Sequence, residues 1–182
     1  MSITAVAPGL TAGTWNIDPA HSEVTFVIRH LMTKVRGTFT DFTGTVQIAE
    51  ELAESTAVAE IQVASIDTRH ADRDAHMRTA EVLDVEKYPT MTFATKGVRE
   101  EDGEYLLDGD LTIKGVTRPV TLTVEFNGVG EDPWGGTRAG FSAGTTISRK
   151  DWGIEFNVPL KGDKALLGDK VEIQLEIQAV RA

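Results

Sequence analysis

The stretch VEIQLEIQ, Val171 to Gln178, alternates without a break: Val171, Ile173, Leu175 and Ile177 take one side, Glu172, Gln174, Glu176 and Gln178 the other. Successive side chains of a strand point to opposite faces, so this period of two predicts a strand with one apolar and one wet face. The same period extends outward through the chain. In HSEVTFVIRHL (His21–Leu31), Ser22, Val24, Phe26, Ile28 and His30 alternate with Glu23, Thr25, Val27 and Arg29. GTFTDFTGTVQI (Gly37–Ile48) is strand-like too, but Phe39 and Phe42 differ in parity, which predicts a bulge near Asp41. Ala59, Ile61 and Val63 share a face in TAVAEIQVASI, as do Val120, Leu122, Val124 and Phe126 further on, and Phe141, Ala143, Thr145 and Ile147 within Thr137–Arg149.

Turn chemistry joins these runs. Asp102-Gly103 is a strong hairpin signal, Lys114–Thr117 is a second turn, and Gly128–Gly136 is a longer one. One segment departs from the period: TRHADRDAHMR (Thr68–Arg78) predicts a short helix over about residues 71–79, with Thr68 or Asp67 as its N-cap. About eight long strands with hairpin connections and no βαβ rhythm make the fold class all-β, an eight-stranded antiparallel up-and-down barrel with a short inserted helix.

The chain of 182 residues is one domain's worth. Residues 1–13, interrupted by Pro8 and Gly9, are expected to be a flexible tail, and residues 14–182 the barrel domain. That tail lacks a basic start and an apolar core, so the protein is expected to be cytoplasmic. A net charge of −10 argues against nucleic-acid binding and disfavours adhesion to an anionic membrane surface. With no cysteine there can be no disulfide, thiolate metal site or Cys nucleophile. Stable membrane insertion is not expected, since no stretch reaches the roughly 20 apolar residues needed to span a bilayer. A homodimer is left open.

A barrel of eight strands either packs its interior or encloses one ligand. Small residues, Ser22, Gly44, Ala59, Gly109, Ala143 and Thr145, share phase with the bulky ones and point to a partly open bore. Alternation alone also fits a packed barrel. If the bore is open, strand phase lines it with Val24, Phe26, Ile28, Ile61, Phe93, Leu111, Phe141 and Ile147, with His30 at its rim. Arg73, His76 and Arg78 on the helix are candidates for contact with a polar ligand head.

Several motifs together resemble one family. WNIDPAHSEVTF (Trp15–Phe26), RHLM (Arg29–Met32), RGTFTDFTG (Arg36–Gly44), SIDT (Ser65–Thr68), RDAHMR (Arg73–Arg78), YPTMTF (Tyr88–Phe93), GDLTIKGVTRPV (Gly109–Val120) and AGF (Ala139–Phe141) occur in the order seen in the YceI-like family. The likeness covers about residues 14–180. It implies a lipocalin-like barrel that binds, stores or transports a long-chain amphiphilic lipid, whether a polyisoprenoid, an isoprenoid quinone or a prenyl phosphate. It implies no catalytic residue set, so the chain is expected not to be an enzyme and to need no cofactor. The alternatives are a lipid-modifying enzyme using the same cavity and a packed barrel that serves as a protein-interaction module.

The competing chemical signals are weak. Gly140–Gly144 matches G-x-S-x-G, but a hydrolase elbow needs a strand-to-helix turn at the serine, and here the strand pattern continues. His21, His30, His70 and His76 lack the spacing of a zinc site, so no metal is expected. The acidic run Glu100–Glu104 fits no calcium loop and reads as a solvated hairpin tip.

Overall fold

The computed structural model describes residues 1–182. Helix α1 (Ile3–Val6) precedes strands β1 (Gly13–Ile17), β2 (Glu23–His30), β3 (Thr33–Phe39), β4 (Phe42–Ile48), β5 (Thr56–Gln62) and β6 (Ile66–Asp67). Helix α2 (Ala71–Met77) follows, then β7 (Thr90–Glu101), β8 (Glu104–Ile113), β9 (Val116–Glu131), β10 (Thr137–Ser148) and β11 (Leu167–Arg181). The first six strands are halves of three long staves. A 3₁₀ turn at Pro19–His21 separates β1 from β2, another at Val63–Ser65 separates β5 from β6, and Thr40-Asp41 separates β3 from β4. The last of these is the irregularity that the parity of Phe39 and Phe42 demands. It returns both rings to the inside, Phe39 opposite Val24 and Phe42 opposite Ile61.

Counted in this way, eight staves pair antiparallel in chain order, and the circle closes where β11 meets both halves of the first stave, Trp15 opposite Arg181 and Phe26 opposite Ile173. Closure leaves no long free edge. Two of the hairpins use two-residue turns in which both residues are left-handed: Asp102 (φ 52°) with Gly103 (φ 83°), and Lys114 (φ 50°) with Gly115 (φ 74°). That geometry matches the right-handed twist of the strands it joins.

Each end of the barrel has its own apolar cluster. Residues 1–13 do not form the expected loose tail. The Ile3 N–H donates to the Glu50 carbonyl at 2.9 Å and the Leu52 N–H to that of Met1 at 2.9 Å. Ile3, only 2% exposed, packs with Leu10, Trp15, Ile48, Ala139 and Ala179 to cover one end. The apolar positions of that short segment needed the barrel mouth to complete their burial, and local sequence could not supply it. At the other end Trp152 is buried with Val63, Ile66, Val82, Leu83, Met91, Leu111 and Ile113, and its Nε1–H donates to the Leu111 carbonyl at 3.0 Å. Helix α2 lies at this second end. Its N-cap is His70, whose side chain accepts from the Arg73 N–H, rather than Thr68 or Asp67. Left-handed Arg69 (φ 63°) delays the helix start, and Thr68 instead donates to the buried Asp74 carboxylate.

A charge cluster outside the α1 end ties three segments together. Arg138 donates from Nη1 to Asp18 at 2.7 Å and from Nε to Asp132 at 2.9 Å. The Arg138 hydrogen bond, reinforced by His21, holds the Asp18 carboxyl down at about 2, below its ordinary value. A carboxyl depressed in the folded state contributes stability that is complete above its unfolded pKa and is lost as pH falls through the folded one. Arg138→Leu is therefore expected to lower stability by about 1–2 kcal/mol near neutral pH, with the deficit vanishing as pH falls from about 4 to 2. Urea melts across that range check it; a deficit that stays constant with pH would assign the loss to packing instead.

Candidate functional site

Between the two clusters the bore is hollow. A cavity of about 400 Å³ runs through it, and 43 of the 51 residues that line it are hydrophobic. A second sign is the pattern along β2. Outward-facing Thr25 and Val27 are buried, while inward-facing Val24, Phe26 and Ile28 are only half-buried, the reverse of a packed barrel. Outside, the Arg36 guanidinium on β3 donates to Gln174 on β11 at 2.8 Å, and that bridge lies across the intervening β2 to cover Thr25 and Val27. Inside, Phe26 and Ile28 border space.

Glycines keep the aromatic rings from filling it. A Cβ built on Gly109 would lie 2.5 Å from the Phe93 ring and 2.7 Å from the Ala94 carbonyl oxygen, and one on Gly37 would meet the Phe26 ring. Each ring lies along the wall in the place of a missing side chain on the neighbouring strand. The small inward residues thus open the bore indirectly, by letting the large ones fold back.

The residues that strand phase assigned to the lining all reach it: Val24, Phe26, Ile28 and His30 from β2, Ile61 from β5, Phe93 from β7, Leu111 from β8, and Phe141 and Ile147 from β10. The helix candidates divide. Arg73 borders the cavity, but its guanidinium is engaged by Thr68, Nε to Oγ1 at 2.8 Å and Nη2 to the carbonyl at 2.7 Å. His76 and Arg78 are not on the wall. His76 meets Glu81 at 2.9 Å and packs edge-on against Phe156, while Arg78 donates to the carbonyls of Ala64 (2.8 Å) and Ile66 (3.1 Å). Arg78 thereby fastens the C-terminal end of α2 to the β5–β6 junction, while His76 faces Glu81 and the Phe156 ring.

The residue that the sequence reading missed is Arg149. It follows Phe141, Ala143, Thr145 and Ile147 in the same inward phase, so the signal was present. It is 4% exposed and lines the cavity. Its Nε donates to the Gly168 carbonyl at 2.9 Å and its Nη1 to those of Ile154 and Phe156, each at 2.8 Å, whereas Nη2 has no partner. Burial lowers the pKa of this guanidinium, and Asp169 nearby opposes that effect. No carboxylate forms an ion pair with it. Nor does any aspartate or glutamate border the cavity, although the chain carries 28 of them; His30, Arg73, Arg149 and Tyr105 are the ionisable groups on the wall. Of these, His30, Arg73 and Arg149 gather at the α2 end.

Ser142, within Gly140–Gly144, points outward from β10, donating to Glu176 at 2.7 Å and accepting from Asn127 at 2.9 Å. The strand continues unbroken through it, so there is no elbow and no histidine to activate the hydroxyl. His21 is held by Asp18 at 2.7 Å outside the barrel.

Comparison with known proteins gives a consistent result. The family model of the YceI-like domain matches residues 15–179. Protein YceI of Escherichia coli O157:H7 is 38% identical, with 99% of this chain and 93% of that protein aligned. UPF0312 protein plu2095 of Photorhabdus laumondii is 38% identical over 96% and 90%. Among solved structures, BcnA of Burkholderia cenocepacia superposes with a TM-score of 0.75 at 24% identity, covering 89% of this chain and 98% of that one. A polyisoprenoid binding domain from Saccharophagus degradans superposes with a TM-score of 0.69 at 14% identity, covering 94% and 100%. At those identities the two structures bear on fold alone, and the fold is the same closed barrel; the family match over nearly the whole length, with relatives 38% identical, places this chain in the YceI-like family.

Proposed function

We propose that this barrel binds one long-chain amphiphilic lipid, with a polyisoprenoid-like tail along the bore and a polar head near Arg149, and that it stores or carries the lipid without chemical change. The hollow apolar bore carries this reading. Its size is within the roughly 300–1,000 Å³ of small-molecule sites, and each methylene moved from water to such a wall contributes about 0.8 kcal/mol, so a long tail needs no polar grip of its own. The Saccharophagus degradans neighbour is a polyisoprenoid binding domain, which agrees with a tail of that shape.

Arg149 gives the head its chemistry. A buried cation without a carboxylate partner favours an anion brought in by the ligand, and an unused N–H in an apolar wall favours an acceptor oxygen. A quinone carbonyl could meet the N–H, but only an anion answers the charge, which selects a prenyl phosphate or similar anionic head over a neutral quinone. Against a catalytic role stands the composition of the wall: His30 is its one histidine, and no carboxylate is there to orient it. Organic extraction of the purified protein followed by mass spectrometry is expected to yield a stoichiometric long-chain anionic lipid. Repeated recovery of empty protein that also fails to bind prenyl phosphates, quinones or fatty acids in titration would sink the proposal.

A further inference from the structure

The α2 end carries a second feature that lipid binding inside the barrel does not require. The hairpin between β2 and β3 exposes Leu31 and, at 94%, Met32. The Leu31 N–H donates to the Leu166 carbonyl at 2.9 Å, and the Leu166 N–H to that of Val158 at 2.9 Å, so this tip is hydrogen-bonded to a loop that exposes Val158 as well. Leu31 is held in the left-handed region at φ 54°, a conformation disfavoured for leucine, and its carbonyl accepts from Arg29 Nη1 at 2.8 Å. An exposed apolar side chain kept at a strained position needs a use.

Charge indicates which. Across residues 29–34 and 157–166 stand Arg29, Lys34, Lys161 and Lys164 against Asp163 and against Glu172 of β11, which bridges Lys34 at 3.4 Å, a local excess of positive charge in a chain whose net charge is −10. The opposite end is the reverse, with Glu100, Glu101, Asp102 and Glu104 at one hairpin tip. Exposed apolar side chains ringed by lysine and arginine are the chemistry that settles into the interface of a bilayer bearing negative lipids. At physiological salt a charge is felt over about 8 Å, so contact at this tip is governed by the local cations and not by the acidic far side.

We infer that the Leu31-Met32 tip and the adjoining Val158–Lys164 loop form a docking surface for an anionic lipid bilayer. The surface adjoins the cavity, because His30, next to Leu31, lines it. Docking there presents the α2 end of the bore to the membrane, where a lipid cargo is collected or delivered. The inference rests on the reading that the bore holds a lipid, but the two can fail separately.

The test is co-sedimentation of the full chain with sucrose-loaded vesicles, of phosphatidylcholine alone and of an equal mixture with phosphatidylglycerol. Binding is expected to the mixed vesicles, weakening as salt rises. Met32→Glu, and Lys161→Glu with Lys164→Glu, should each reduce it by roughly tenfold, with unchanged thermal melts because all three side chains are exposed. Trp134, 80% exposed at the acidic end, is the control, and Trp134→Ser should leave binding as it was. No binding to either vesicle, binding indifferent to Met32→Glu, or loss with Trp134→Ser would overturn the inference. Titration of the bore with a soluble short-chain prenyl phosphate separates the two readings: vesicle binding by a protein that takes no prenyl phosphate upholds docking and overturns the cargo reading.

Discussion

Replacing Ala143 with tryptophan is expected to abolish lipid loading while leaving the barrel folded. Ala143 sits mid-way along β10 on the cavity wall, opposite Leu175 on β11 and Val124 on β9, both of which also line the cavity. In a close-packed core an added indole would cost about 1–3 kcal/mol or more in displaced neighbours. Here the new ring enters about 400 Å³ of empty space and gains apolar contact, so thermal stability should hold or rise. The ligand tail loses that space. Excluding even four methylenes removes roughly 3 kcal/mol, more than a hundredfold in affinity. Titration of a prenyl phosphate, beside a thermal melt, checks both halves. A variant that unfolds would show the interior to be packed; one that is stable and binds normally would place the lipid elsewhere.

The dependence of that outcome on hollowness shows where sequence reading ends. Alternation in Val171–Gln178 and His21–Leu31, with Asp102-Gly103 between strands, is local information, and it predicts strands, hairpins and inward faces that the structure reproduces. Whether the inward faces meet is not local. Phe93 folds against Gly109 and Phe26 against Gly37 only because register sets those residues beside one another, and register is a property of paired strands. The covering of the α1 end was illegible for a related reason. Ile3 and Leu10 lie in a segment with Pro8-Gly9 and no helical period of useful length, and only the finished barrel offers them a partner. His76 and Arg78 were misplaced because a two-turn helix presents nearly every face to something, and the face that meets the bore depends on how the helix docks. Arg149 differs from these: its parity was readable, but a charged side chain at the end of an apolar inward set looks like the start of a loop. What singles it out is an unpaired nitrogen, which only coordinates reveal.

That nitrogen supports the second large effect. Arg149→Met keeps the length and apolar stem of the side chain and removes its charge and donors. The carbonyls of Gly168, Ile154 and Phe156 lose their bonds, which should cost about 1–3 kcal/mol of stability through the loop they anchor. The informative quantity is head-group preference. Wild-type protein is expected to bind a prenyl phosphate at least roughly tenfold more tightly than the matching prenol, since a charge-assisted hydrogen bond to a buried guanidinium is worth about 1.5–3 kcal/mol. In Arg149→Met the two lipids should bind alike, with the prenol scarcely affected, because its tail contacts the same wall. Arg149→Lys retains the cation and should keep part of the preference. If Arg149→Met instead weakens prenol and prenyl phosphate equally, Arg149 serves to hold the 154–168 loop in shape and recognises no head. The apolar bore would then select by tail alone, and quinones would bind as well as phosphates.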